Sequence, residues 1–190
     1  MSKTLRLTGD PDADKLLSED PFALLTGMLL DQQIAMEVAF AGPKKIADRM
    51  GGFSVTKIAD SDEEEFVELC VVKPAIHRYG GSMARRVHAL ARHVVENHDG
   101  RTDAIWTEGD PDGPEVLRRL KALPGYGDQK ARIFLALLGK QLGVRPQGWR
   151  EAAGAYGEEG SHRSIADVTG PESLAEVRSF KKAAKAAKKA

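Results

Sequence analysis

The stretch Leu123-Pro124-Gly125-Tyr126-Gly127 combines residue types that can hold an anion. Two glycines one residue apart permit positive φ and leave no Cβ to keep a ligand at a distance. The apolar spacing that follows predicts a helix from Asp128, whose first N–H groups lack intrahelical acceptors and carry a partial positive charge. Those amides, with the ones near Gly125 and Gly127, suit a phosphate oxygen, and Lys130 one turn further on adds a full charge. The plainer reading of Gly-x-Gly is a helix corner with a glycine C-cap. Asp128 is an awkward neighbour, because an acid at a helix start supports the helix and repels a phosphate.

The elements that would position this hairpin read almost entirely as helix. Asp20 before Pro21 is an N-cap followed by a proline at the first helical position, and the segment Pro21–Leu30 is apolar all round, hence buried. A second helix is expected over Ala35–Phe40, interrupted by Gly42-Pro43 and restarted as a turn to Met50. Asp62–Val71 reads as a short helix with an acidic face, and Ser82 as the cap of an amphipathic helix Met83–Asn97. Helices over Glu115–Ala122 and Asp128–Leu138 flank the hairpin; in the second, Ala131, Phe134, Leu135 and Leu138 fall at i, i+3, i+4 and i+7. Residues 143–163 read as irregular, and a last helix starts at Pro171 and fades into a lysine-alanine tail. Leu5-Arg6-Leu7 alternates but is too short for a sheet. The expected fold class is all-α.

At 190 residues, 42% hydrophobic and 29% charged, the chain can bury a core. No apolar run approaches a membrane span, and the start MSKTLRLTGDPDAD lacks the apolar stretch of a secretory leader. A single cysteine, Cys70, excludes an internal disulfide and a metal site built from cysteines alone. These features point to an intracellular location with no membrane partner; a bacterial-type cytoplasm and a monomer are the accompanying expectations. The net charge is zero, yet Arg178–Ala190 holds Arg178 and Lys181, Lys182, Lys185, Lys188 and Lys189 with no acid, so the rest of the chain carries six surplus acids. The tail can lie on a phosphate backbone, or be a frayed, solubilising terminus.

The run Leu120-x-x-Leu123-Pro124-Gly125-Tyr126-Gly127-x-x-Lys130-Ala131 resembles the helix-hairpin-helix of the HhH-GPD DNA glycosylase superfamily, with Ala131 as the small residue between its helices. The segment Pro21-Phe22 through Asp31-Gln32-Gln33 resembles the apolar helix and Gln-bearing turn of endonuclease III-like members, and Ile76–Arg86 resembles the turn and helix between those two features. The resemblance covers roughly residues 20–150. It implies a two-lobed helical fold over residues 1–170, with the hairpin at 115–138 and a basic C-terminal helix at 171–190. It also implies base excision on double-stranded DNA near the nucleoid. Pro124, Gly125, Tyr126, Gly127 and Lys130 would anchor a phosphate, with a monovalent cation on the main-chain carbonyls of Leu123 and Tyr126. Gln33, helped by Gln32, would wedge into the duplex where a base has been extruded; a flat side chain that both donates and accepts suits an orphaned base.

The chain departs from the family where chemistry is concerned. The Schiff-base lysine of bifunctional members falls at Gln129, and Lys130 is rotated about 100° around the helix. The usual catalytic Asp falls within Val144–Trp149, which contains no acid. An iron-sulfur cluster needs four cysteines, so no cofactor is expected. Glu151 and Asp31 are the candidate replacement acids, although each could simply cap local structure. Trp149 and Tyr156 are candidate stacking platforms for a flipped base, against the plainer reading of a core anchor. The expected activity is a monofunctional DNA N-glycosylase without lyase activity; the alternative is a lesion-binding protein that keeps the fold without the chemistry.

Overall fold

The computed structural model describes residues 4–189. Among them are eleven α-helices, two 3-10 turns and no strand. Helices α1 (Pro11–Glu19), α2 (Pro21–Leu30), α3 (Met36–Met50), α4 (Val55–Asp60), α5 (Glu63–Val71) and α6 (Gly80–His98) pack mainly on one another. A second group comprises α7 (Ala104–Thr107), α8 (Gly113–Lys121), α9 (Asp128–Gln141), α10 (Trp149–Ala153) and α11 (Pro171–Lys189), with 3-10 turns at Gly154–Gly157 and Ile165–Asp167. Contact between α2 and α9 joins the groups, and the buried apolar side chains of both form one continuous core.

Helix α2 begins as its sequence requires. The Asp20 carboxylate accepts from the amides of Phe22 and Ala23, and Pro21 fills the position where an N–H has no intrahelical partner. From Phe22 to Leu30 every residue is buried. The same Asp-Pro signature at Asp10-Pro11 starts α1, a helix the apolar spacing did not reveal.

Several boundaries differ from the sequence expectation, each for a physical reason. Helix α3 runs unbroken through Gly42-Pro43 because Met36, Ala39, Phe40, Gly42, Pro43 and Ile46 form a buried face against α1 and α2; that packing outweighs the hydrogen bond a proline cannot donate. Ser82 does not cap α6. The helix starts at Gly80, with the Tyr79 amide donating to His77 Nδ1 at 2.9 Å and the Tyr79 carbonyl accepting from Met83. Within the glycine-rich stretch 143–163, α10 forms because Trp149 packs flat against the backbone of Gly139, where a Cβ would lie 2.5 Å from its ring. The tail holds its helix to Lys189.

Candidate functional site

The hairpin between α8 and α9 is a type II turn. Pro124 sits at its second position, Gly125 at its third with φ +83°, and the Tyr126 amide donates to the Leu123 carbonyl at 3.1 Å. Gly125 is required twice over, since a Cβ there would stand 2.5 Å from Leu29 Cδ1. Gly127 then caps α9 without a side chain, and Ala131, fully buried, donates its amide to the Gly127 carbonyl at 3.0 Å. Gly125 and Gly127 are exposed, and their amides find no acceptor among the described residues. The hairpin tip therefore offers free donors at the N-terminal end of a fourteen-residue helix.

Asp128 interferes less than its position suggested. Its carboxylate lies 2.8 Å from Arg132 and 3.3 Å from Lys121, and the Arg132 hydrogen bond holds it below the usual carboxylate range. The Tyr126 side chain is not on offer to a ligand. It is buried, donates its hydroxyl to the Leu25 carbonyl at 2.7 Å, and burial pushes the phenol well above its ordinary pKa.

Residues 31–35 link α2 to α3. Gln32 is fastened on every side: its Nε2 donates to the Leu29 carbonyl at 2.9 Å, Arg86 donates to its Oε1 at 3.4 Å, and His77 holds its carbonyl at 2.8 Å. Because His77 Nδ1 accepts from Tyr79, Nε2 carries the proton and donates to Gln32. Both ring nitrogens are thus engaged in structure. Gln33, next in line, is exposed and adopts φ +61°. The loop pins one glutamine and presents the other.

Lys130 is placed differently from the phosphate-facing role expected of it. Its ammonium donates to the carbonyls of Met28 at 2.7 Å and Asp31 at 3.1 Å, closing the C-terminal end of α2. Desolvation lowers its pKa to about 8 against the raising influence of Asp31. The Asp31 side chain is only 6% exposed, and Lys181 of α11 lies 3.7 Å from its Oδ2. Burial raises the Asp31 pKa, opposed by Lys181 and Lys130. A second ion pair, Arg178 with Glu37, ties α11 to α3. Helix α11 thus joins this group through Arg178 and Lys181, two cations at helical spacing in the basic tail.

The remaining candidates separate. Gln129 donates to the Tyr156 hydroxyl at 3.0 Å, so Tyr156 stands beside the first turn of α9. Trp149 is 8% exposed, with the Arg150 guanidinium 4.5 Å above its ring; it anchors the core and has no free face for a base. Glu151 is exposed, lines a shallow hollow with Gly154, Glu158 and Glu159, and has no hydrogen-bond or ion-pair partner among the described residues. The Gln147 carbonyl accepts from the Gly113 amide at 2.7 Å, which makes that position part of the backbone packing between α8 and α10.

No helix of the described residues is long and apolar enough to cross a membrane, and no cluster of three His, Cys, Asp or Glu among them could hold a metal ion. No curated protein and no solved structure matches the chain. Residues 26–186, from the middle of α2 into α11, match the HhH-GPD superfamily base excision DNA repair protein family, and the chain belongs to that family.

Proposed function

We propose that this repair protein is a monofunctional DNA N-glycosylase that extrudes a damaged or mismatched base from a duplex and releases it. The observation that carries the reading is the coupling of the hairpin to the glutamine loop. One lysine, Lys130, joins the base of the exposed hairpin to the turn that presents Gln33. A duplex whose phosphate rests on the Gly125 and Gly127 amides would meet Gln33 at a fixed offset. A monovalent cation would suit the Leu123 and Tyr126 carbonyls; the Tyr126 oxygen accepts no hydrogen bond among the described residues. Such an ion would add positive charge beside the phosphate.

Of the two candidate acids, Asp31 fits the chemistry better than Glu151. It is buried beside the wedge loop, where a carboxylate acts more strongly on a developing cation than it does in water. When the bond between C1′ and the base nitrogen breaks, its electron pair leaves with the base and positive charge grows on the sugar. Asp31 would stabilise that charge; water would then bond to C1′ and pass its proton to the carboxylate. Lys181, 3.7 Å from the Asp31 Oδ2, would have to release the carboxylate for it to face the sugar. No Schiff base is expected, since Gln129 holds the lysine position of bifunctional members and the Lys130 amine is taken up by two carbonyls.

A second reading, lesion binding without cleavage, draws support from the ion pair that covers Asp31 and from the acid-free stretch 144–149. The two are separated by incubating the protein with labelled duplexes carrying uracil, hypoxanthine, alkylated purines, oxidised guanine and mismatches. Strand breaks that form only after alkali support the glycosylase. Intact strands on every lesion, with binding retained, support the second reading, and a borohydride-trapped protein–DNA adduct would contradict the absence of lyase activity.

A further inference from the structure

The start of α11 and the segment ahead of α1 enclose a hollow that shares no lining residue with the hairpin, the glutamine loop or the Lys181 ion pair. Lys181 itself lies about 15 Å further along α11 than Pro171. The hollow has a volume of about 600 Å³, within the range of roughly 300–1,000 Å³ typical of small-ligand sites. Its walls are mostly apolar, with Leu5, Leu7, Pro11, Pro171 and Leu174 contributing to them. The segment that forms one wall is held in place. The Leu5 amide donates to Ser18 Oγ at 2.8 Å, and the amides of Leu7 and Thr8 donate to Asp14 Oδ1 at 3.1 and 2.9 Å.

Asp14 is the exception in this lining, an acid only 6% exposed. Its amide donates to the Asp10 carbonyl at 2.9 Å and its carbonyl accepts from Ser18 Oγ at 2.7 Å. Oδ1 accepts from the Thr8 hydroxyl as well as from the two amides. Oδ2 accepts no hydrogen bond and meets no cation among the described residues, so it is the atom that Asp14 presents to the hollow. A carboxylate oxygen left open between apolar walls is a strong acceptor awaiting a donor. The surroundings are acidic too. Asp10 and Asp12 flank Pro11 and Glu172 follows Pro171, whereas Arg6 is the cation of the lining. The local field favours a positive ligand.

The geometry points to this hollow as a binding site for an organic ammonium with an apolar body, separate from the DNA-binding surface and from base release. The ammonium donates to Asp14 Oδ2, and the body rests against Pro11, Pro171 and Leu174. A guanidinium fits less well, because its fork needs both carboxylate oxygens and Oδ1 already serves three donors. An ammonium is a point donor and needs only the one that is open.

The test uses the full chain and three probes of similar shape, phenethylamine, phenethyl alcohol and phenylacetate, followed through amide chemical shifts. Phenethylamine is expected to move the amides of Leu5–Gly9 and Glu172–Leu174 and to bind about tenfold tighter than the alcohol, with phenylacetate weakest. Asp14→Asn keeps an acceptor at the Oδ1 position and removes the charge, and should bring amine and alcohol to within about twofold of each other. Leu174→Trp keeps the carboxylate and fills the hollow from its partly exposed rim; it should weaken phenethylamine about tenfold while helix content by circular dichroism stays that of the parent. Equal binding of amine and alcohol by the parent, phenylacetate as the tightest probe, or shifts confined to other parts of the chain would overturn the inference. So would a Leu174→Trp protein that binds phenethylamine as the parent does.

Discussion

The Lys130 ammonium stands 2.7 Å from the carbonyl oxygen of Met28, so the first turn of the hairpin helix is fastened to the C-terminal end of α2. A cation there complements the negative end of the α2 dipole and satisfies carbonyls that helix geometry leaves open. The placement is desolvated, and the lysine pKa falls to about 8.

Stability should therefore respond to pH through this one group. Between pH 8 and about 10.4 the native amine has shed its proton while the unfolded one keeps it, so stability rises with pH across that window. Below pH 8 the full cost of the buried charge is present. Lys130→Met should be less stable than the parent by about 1–2 kcal/mol at pH 7, because the Asp31 carbonyl loses its donor and the Met28 carbonyl keeps only the Asp31 amide, and the gap should widen by up to about 3 kcal/mol toward pH 10. Urea unfolding of both proteins at intervals from pH 7 to 10 checks it; a constant gap would show that the amine is not desolvated.

The two hairpin glycines should respond differently to an added methyl group. Gly125→Ala meets both a left-handed backbone and the Leu29 side chain, and should cost about 2–4 kcal/mol. Gly127→Ala meets nothing within 4 Å at an ordinary φ of −88°, and should cost less than about 1 kcal/mol. Denaturant midpoints of the two variants give the comparison directly; equal losses would show that the turn is not held against α2.

Much of this was legible in the residues. The Asp20-Pro21 cap, the apolar run to Leu30, the hairpin and the helix behind it follow from local rules, and local rules survive folding. What escaped depends on distant parts of the chain. Pro43 lies inside a helix because of the buried face it shares with α1 and α2. Trp149 became a core anchor because Gly139, ten positions earlier, leaves a flat backbone to receive it. Lys130 faces α2 and not solvent, a matter of how two lobes meet that no spacing discloses. The part played by α11 escaped for a similar reason: its helical register was present in the tail, but its partners Asp31 and Glu37 lie more than a hundred residues away.

Gln33 and Gln32 should divide loop function from loop structure. Gln33 is exposed, so Gln33→Ala should shift stability by no more than about 0.5 kcal/mol and yet lower the preference for abasic over intact duplex. Gln32→Ala removes hydrogen bonds to Leu29 and Arg86 and should cost about 1–2 kcal/mol. Thermal unfolding together with competition binding distinguishes the two, and a Gln33→Ala protein with undiminished preference would remove the wedge.

The buried acid carries a pH signature of its own. The Asp31 pKa is raised by desolvation, so its favourable contribution is present below the unfolded value near 4 and is lost as pH rises through the native one. Asp31→Asn should consequently be at least as stable as the parent at pH 7, with any advantage vanishing as pH falls toward 4. Unfolding of both proteins from pH 4 to 7 checks the sign. A variant that loses stability at neutral pH would show that the ion pair with Lys181 outweighs the burial.

Base release under single-turnover conditions, compared between the parent, Asp31→Asn and Glu151→Gln on the lesion duplex the parent processes best, puts the proposed chemistry to its most direct test. Asp31 as the stabilising carboxylate predicts an alkali-labile site from the parent, the same rate from Glu151→Gln, and a rate lower by about 10²-fold or more from Asp31→Asn. An Asp31→Asn protein that releases base as fast as the parent, or a parent that releases none while binding the lesion, would contradict it.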